Sequence, residues 1–342
     1  MLGLALALLV AESVCKVIDL RNRLRHHRIV SRISRISDIP GVRYELVPNL
    51  ETVTPNHDQV IRINNLGFRG HDVTPDKPPS LYRIAILGDS IAFARGYAEK
   101  DIFPAILERN LNAGNYGKDF EVVNASLSGR DTWEECAILE HRVLALKPDL
   151  VILQICLNDH VRLPFPKKDA TVGIFGEQAW YEYSSLLKLL DQRIEGFRKI
   201  HAAVIKKIGW NKRAERVILD RFIGLEELLN VEPDWPAWSA ILLKIRDLTT
   251  SHGAGVMFLV CPVDIEVRDL AHDTLPMLTG FTQENGIPYL DLLTLFEADG
   301  GIKLFADHIH PNPEGHRVIA KEIERFIAGH FLSLCGGEST RR

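Results

Sequence analysis

The sequence predicts a three-layer, doubly wound α/β fold on a mainly parallel sheet, with an inserted cap segment. Three observations carry this prediction. Short apolar runs at 82–88, 120–126, 148–156, 255–262 and 287–292 alternate with helix-like stretches, the order expected of strand-helix repeats. The third run, PDLVILQIC, is continuously apolar, which suits a parallel strand covered on both faces. With 342 residues, 46% hydrophobic and 25% charged, the chain can build one large α/β core with elaborations. A net charge of −4 and a pI of about 6.4 call for no nucleic-acid or anionic-surface partner.

The elements follow in order. MLGLALALLVA is an apolar run of eleven residues ended by Glu12, and ESVCKVIDLRNRLRHHR continues it into a basic stretch. Residues 1–35 are therefore expected to form a membrane-associated N-terminal helix and basic segment. That anchor would give a membrane-associated or extracytoplasmic location, and its absence a cytoplasmic one. A packed terminal helix is the plain alternative. Residues 36–80 are rich in Pro, Asn, Gly and Asp and read as a lead-in packing on the main domain. Short strands are expected there in YELVPN and QVIRINNLGFRG.

The main domain is expected over 81–330. YRIAILG is its first strand, followed by a helix over 92–110 that accommodates Pro104 near a turn or kink. FEVVNAS at 120–126 is the second strand. Thr132 is expected to cap a helix to about Leu144, with Glu135 as its capping-box partner. After the third strand, 161–235 interrupts the rhythm and reads as an inserted cap rich in aromatics, among them Trp180, Tyr181, Tyr183 and Trp210. A helix from Trp238 to Ser251, strands at 255–262 and 287–292, and a last helix opened by Pro313 complete the domain. Residues 331–342 form a tail. The five cysteines are scattered without a CxxC or Cys/His cluster, so neither a zinc site nor a disulfide framework is indicated.

Gly88-Asp89-Ser90 ends the first strand. A strand, a sharp turn and a helix can expose a serine hydroxyl at the carboxyl edge of the sheet, with helix-start N–H groups nearby to stabilise an oxyanion. It is neither a GxSxG elbow nor a phosphate loop. On this stretch alone, a nucleophile and a helix cap remain equally open. LFADHIHPNPEGH carries Asp307 and His310 three apart, a local base-and-orienter pair of the kind a serine nucleophile needs. His308 competes with His310 on spacing, and with His316 the three could instead hold a metal, although no further ligands at suitable spacing support one. Asn158 follows the third strand and can donate to an oxyanion. Gly129 follows the second and offers an unobstructed backbone N–H. Phe93, Arg95, Arg130 and Asp131 are expected along the pocket rim.

Together, Gly88-Asp89-Ser90, Gly129, Asn158-Asp159 and Asp307 to His310 with Pro311-Asn312 resemble the four blocks of the SGNH/GDSL hydrolase family. INNLGFRG in the lead-in also resembles the N-terminal segment of membrane-attached bacterial members. The resemblance implies a flavodoxin-like sheet and ester hydrolysis through an acyl-enzyme, without metal or organic cofactor. It implies Ser90 as nucleophile, His310 as base and Asp307 as its orienter. Ser90 N–H, Gly129 N–H and the Asn158 amide would form the oxyanion hole, while Asp89 would fix the turn. The implied partner is a small-molecule, glycan or lipid ester. An acyltransferase using the same site and a catalytically silent envelope or binding protein are the alternatives. Cys156 and Ser126 stand where the family pattern has glycine.

Overall fold

The computed structural model describes residues 33–53, 59–94, 96–114, 116–156, 159–160, 234–263, 267, 274–307 and 309–332, with isolated positions between 10 and 17. The chain divides into two compact units, 1–32 with 166–232 and 33–165 with 233–342. The second contains everything described below. The cap expected over 161–235, with Trp180, Tyr181 and Tyr183, lies outside the described residues except for its last two positions.

Two antiparallel hairpins come first: β1 (Ser34–Ile36) with β2 (Tyr44–Leu46), and β3 (Leu50–Val53) with β4 (Val60–Ile63). The main sheet comprises β5 (Leu81–Leu87), β6 (Asp119–Asn124), β7 (Leu150–Ile155), β8 (Gly255–Val260) and β9 (Tyr289–Asp291). Its hydrogen-bonded order is β6-β5-β7-β8-β9, and every pair is parallel. Counted within the sheet this is 2-1-3-4-5, the flavodoxin-like order, whose switch point lies between the first and third strands. Those strands are β5, which leads into Ser90, and β7, which leads into residues 156–160.

Alternate side chains of each strand point to opposite faces, so a sheet buried on both sides needs two apolar layers. Ile84, Ile86 and Ile152 pack against α2 (Phe103–Ala113) and α7 (Pro313–Ile327). Ala85, Leu87, Val151 and Leu153 pack against α3 (Thr132–Ile138), α4 (Trp235–Ser251) and α5 (Thr274–Glu284). Phe296 of α6 (Leu293–Asp299) joins the first layer. Ile84, Ile86 and Leu87 have no measurable exposure, and each such side chain contributes about 1.5–3 kcal/mol of burial.

Local structure departs from the sequence expectations at several helices. The helix expected over 92–110 is instead a single turn, α1 (Ser90–Phe93), and then α2. Ala94 breaks them apart by adopting left-handed backbone at φ +47°, and Pro104 falls in the first turn of α2, where its missing N–H costs nothing. The α3 cap is Asp131 rather than Thr132: its carboxylate accepts from Glu134 N at 3.0 Å. Past Ile138 that helix widens into a π turn over Leu139–Val143. Helix α4 begins three residues before Trp238, on Asp234. Helices α5 and α6 carry no clear signal in sequence. Pro276 and Gly280 interrupt the first, and the second is too short to show a period.

The expected membrane attachment is corrected here. Among the described residues no helix is long and apolar enough to cross a membrane. Neither a membrane partner nor a location inferred from one is retained.

Candidate active site

The GDS turn is built by close approach. A Cβ on Gly88 would lie 2.5 Å from Gln154 Oε1, so only glycine lets β5 end this near β7. Gln154 Oε1 in turn accepts from Asp89 N at 3.2 Å. Asp89 is fully buried and caps α1, its Oδ1 accepting from Ile91 N at 2.9 Å. Its Oδ2 accepts from the Cys156 thiol at 3.3 Å. Asp89 thus shapes the turn and does not face solvent, whereas Ser90, next along, is half-buried with its hydroxyl outward.

The second component is a short loop before α7. Asp307 Oδ1 accepts from Ile309 N at 2.8 Å and His310 N at 2.7 Å, closing a tight turn. The loop is seated by a bridge between Phe305 and Pro311. It then meets α7 through Asn312, whose side chain caps the helix by accepting from Glu314 N and Gly315 N. This turn brings His310 Nδ1 within 2.8 Å of Asp307 Oδ2. His310 Nε2 then lies 2.9 Å from Ser90 Oγ. Burial pushes the Asp307 carboxyl up, but the imidazole bond, the His310 charge and the two backbone N–H groups outweigh it and hold it at about 2. An ionised Asp307 keeps the proton on Nδ1 and leaves the Nε2 lone pair facing the serine.

Gly129 occupies a turn in which Arg130 N donates to Leu127 O at 3.1 Å. Its φ of +77° is the third-position geometry of a type II turn. Among the described residues no atom lies within 4 Å of where a Cβ would be, and it is the left-handed backbone that asks for glycine. The strand end before this turn is tied to α1, which Ser90 opens: Asn124, at the end of β6, donates from Nδ2 to Ala92 O at 3.0 Å. Ser126, in place of a family glycine, is buried and donates to Asn124 Oδ1.

Asn158, with Leu157, lies outside the described residues, as do Arg95 and His308. The described residues on either side, Cys156 and Asp159, are bonded to each other and to α3. Asp159 Oδ2 accepts from Cys156 N at 2.5 Å, and Thr132 Oγ1 donates to Asp159 O at 3.0 Å. Trp238 Nε1 of α4 donates to the same hydroxyl at 3.1 Å. Asp159 and Glu135 are both buried, and burial first, then the neighbouring carboxyls, pushes each well up.

Three expected rim residues are interior instead. Phe93 is buried, Arg130 donates to Ala125 O, and Asp131 caps α3. His316 is also buried: its Nδ1 accepts from Phe103 N at 3.4 Å, and burial, then the Arg69 and His310 charges, lowers it to about 3. Among the described residues no group of three or more His, Cys, Asp or Glu could hold a metal ion.

Sequence reasoning missed two arginines of the lead-in. Arg43 Nη2 donates to Gly129 O and to Glu134 Oε2, each at 2.5 Å. Arg69 donates to Phe93 O and, at 2.6 Å, to Tyr97 O. Arg69 lies in INNLGFRG, which marks the lead-in but names no role for the arginine, and Arg43 lies in no recognisable motif; the partners of both are distant in sequence.

Comparison with known proteins places the chain in a family. Residues 86–318 match the model of the GDSL-like Lipase/Acylhydrolase family. Over 130 residues, 35% of this chain, it is 29% identical to Esterase TesA of Pseudomonas aeruginosa, and the match spans 64% of that protein's length. Among solved structures, one of TesA is 16% identical with a TM-score of 0.45, covering 72% of this chain and 98% of the other. An acetylxylan esterase from Geobacillus stearothermophilus, Axe2, is 18% identical with a TM-score of 0.45, covering 76% of this chain and 97% of the other.

Proposed function

The chain belongs to the GDSL-like lipase/acylhydrolase family, and from that premise we propose that it is a serine esterase working through an acyl-enzyme. The observation that carries the reading is the continuous relay from Asp307 through His310 to the Ser90 hydroxyl, at 2.8 and 2.9 Å. Ser90 Oγ attacks the ester carbonyl while His310 Nε2 takes its proton. The same nitrogen then returns that proton to the leaving alcohol, and water repeats the sequence to release the acid. Asp307 remains ionised throughout, orients the ring and stabilises the imidazolium.

The oxyanion would be met by Ser90 N–H, Gly129 N–H and the Asn158 amide. Neither of the two backbone N–H groups is taken up by a backbone carbonyl among the described residues. Exposure of 37% for the His310 side chain and 56% for Asp307 leaves the base open to water, which favours hydrolysis over transfer to a second acceptor.

The substrate side of the proposal is an acetyl or other acyl group on a carbohydrate or lipid. Support comes from the relatives, an esterase and an acetylxylan esterase by name. The test is a screen of acetyl-sugar, long-acyl and thioester substrates against the wild type and Ser90→Ala. Turnover of at least one ester class by the wild type alone is expected. Equal turnover by both proteins overturns the assignment.

A further inference from the structure

We infer that the lead-in before β5 is a working part of the active site, with Arg43 and Arg69 as positioning residues for the oxyanion hole. The inference rests on the reading above, in which Ser90 N–H and Gly129 N–H receive the oxyanion.

The two arginines grip the two halves of that hole. Arg43 follows the first hairpin's turn and leads into β2. Its backbone N donates to Glu134 Oε1 at 2.6 Å, and its Nη2 bridges Glu134 Oε2 and Gly129 O. Glu134 is itself fixed by the Asp131 cap of α3. Gly129 O is thereby anchored to a helix start through a charged, largely buried pair, with side-chain exposures of 12% and 4%. Gly129 and Ser128 are otherwise exposed, and a Gly turn in solvent has many conformations to lose. A charge-assisted bond to the Gly129 carbonyl selects one.

Arg69 acts on the nucleophile's side. Its backbone N donates to Asn124 O at 3.2 Å, docking the lead-in on the open edge of β6. Its guanidinium, almost wholly buried, reaches past the Phe93 ring, 5.2 Å from the centroid, to Phe93 O and Tyr97 O. These carbonyls straddle Ala94, an alanine held in left-handed backbone. An L-residue adopts that conformation only at a cost. The two guanidinium bonds offset it and stop α1 from continuing. Tyr97, once so placed, lays its ring edge-on to His316 at 5.6 Å.

The experiment compares Arg43→Lys, Arg43→Met, Arg69→Lys and Arg69→Met in the full chain, with Ser90→Ala alongside. Hydrolysis of p-nitrophenyl acetate gives kcat and KM. Inhibition by phenylboronic acid, which forms a tetrahedral adduct on a serine, reads the oxyanion hole. Thermal unfolding confirms the folded fraction. Each Met variant is expected to lose about 10- to 100-fold in kcat, with KM within about twofold, as for a small misplacement of reacting groups. The boronate inhibition constant should rise by a similar factor. Lys variants, able to satisfy part of each contact, should fall between. Folded variants with wild-type kcat and boronate affinity would assign the arginines to stability alone and overturn the inference. If a Met variant does not fold, the Lys variant at that position decides: wild-type kcat there overturns it equally. Activity retained by Ser90→Ala would instead remove the underlying reading of the site, a result distinct from either.

Discussion

His310 and Ser90 meet at 2.9 Å although 220 positions separate them, and the His310 nitrogen on the far side of the ring is already engaged by Asp307. The base is therefore aligned before any substrate arrives. Asp307→Asn keeps the shape but presents an amide to Nδ1 and favours the wrong tautomer. Its kcat is expected to fall on the order of 10³–10⁴-fold, with folding intact. Steady-state kinetics on an activated acetyl ester, beside circular dichroism, checks this. A loss below tenfold would show that orientation by Asp307 matters little.

Two glycines should fail differently. Gly129→Ala meets no neighbour but must hold φ +77°, so it should cost about 1–2 kcal/mol and depress kcat through the displaced N–H. Gly88→Ala drives a Cβ to 2.5 Å from Gln154 Oε1 and dislodges the buried side chain that fixes Asp89. Overpacking of that kind typically costs about 1–3 kcal/mol. Thermal melts and kcat on both variants should show Gly88→Ala losing more stability. The reverse ranking would contradict the steric account of the GDS turn.

His71 and Glu108 pair at 3.0 Å. The hydrogen bond to Glu108, against the opposing effect of burial, raises the His71 imidazole to about 9. A raised folded value means that protonation is favoured by folding. The stabilisation is fully present below the unfolded value of about 6.5 and disappears as pH rises through about 9. The His71 side chain is 41% exposed, so solvent screening holds the gain below about 1 kcal/mol. Melting temperatures of wild type and His71→Gln should differ at pH 6 and converge by pH 10. A constant gap would remove the ion pair as its cause.

Glu135 gives the same slope with pH from a different cause: an unfavourable charge in place of a favourable pair. Burial, then the Asp159 and Asp89 charges, raise its carboxyl, with Arg130 opposing and Asp131 adding to the rise. The folded protein retains a proton that the unfolded chain releases, so this group costs stability increasingly above pH of about 4.5. Glu135→Gln has the shape of the protonated acid and no titration. It should match the wild type near pH 5 and melt higher at pH 8. Parallel curves across that range would mean Glu135 does not titrate with folding.

The succession of strands and the turns that carry Ser90 and His310 were legible because each depends on local pattern. Apolar runs mark parallel strands, and Asp307 with His310 make their turn from neighbouring residues. Gly88-Asp89-Ser90 was ambiguous by itself, since a capped helix start and a nucleophile turn use the same residues; here Asp89 does the capping and Ser90 faces the imidazole. What stayed hidden depends on distant partners. Gly96 is the one local hint of a helix break near Ala94, and the Arg69 side chain that reaches Phe93 O and Tyr97 O on either side comes from the distant lead-in. Phe93 and Arg130 read as rim residues only because burial is a property of the assembled layers. The roles of Cys156 and Gln154 at Asp89 likewise appear only once β5 and β7 lie side by side.

The distance in sequence between Ser90 and His310 also orders events in time. At about 5–20 residues per second of synthesis, the serine emerges on the order of 10–40 s before its base exists. The base is useful only once Asn312 has capped α7 and α7 has docked on β5. Until then Ser90 is an ordinary alcohol on a partly built sheet. Under the proposed mechanism, a nascent chain that has not yet reached α7 has the serine without the His310–Asp307 pair, and is expected to leave esters untouched.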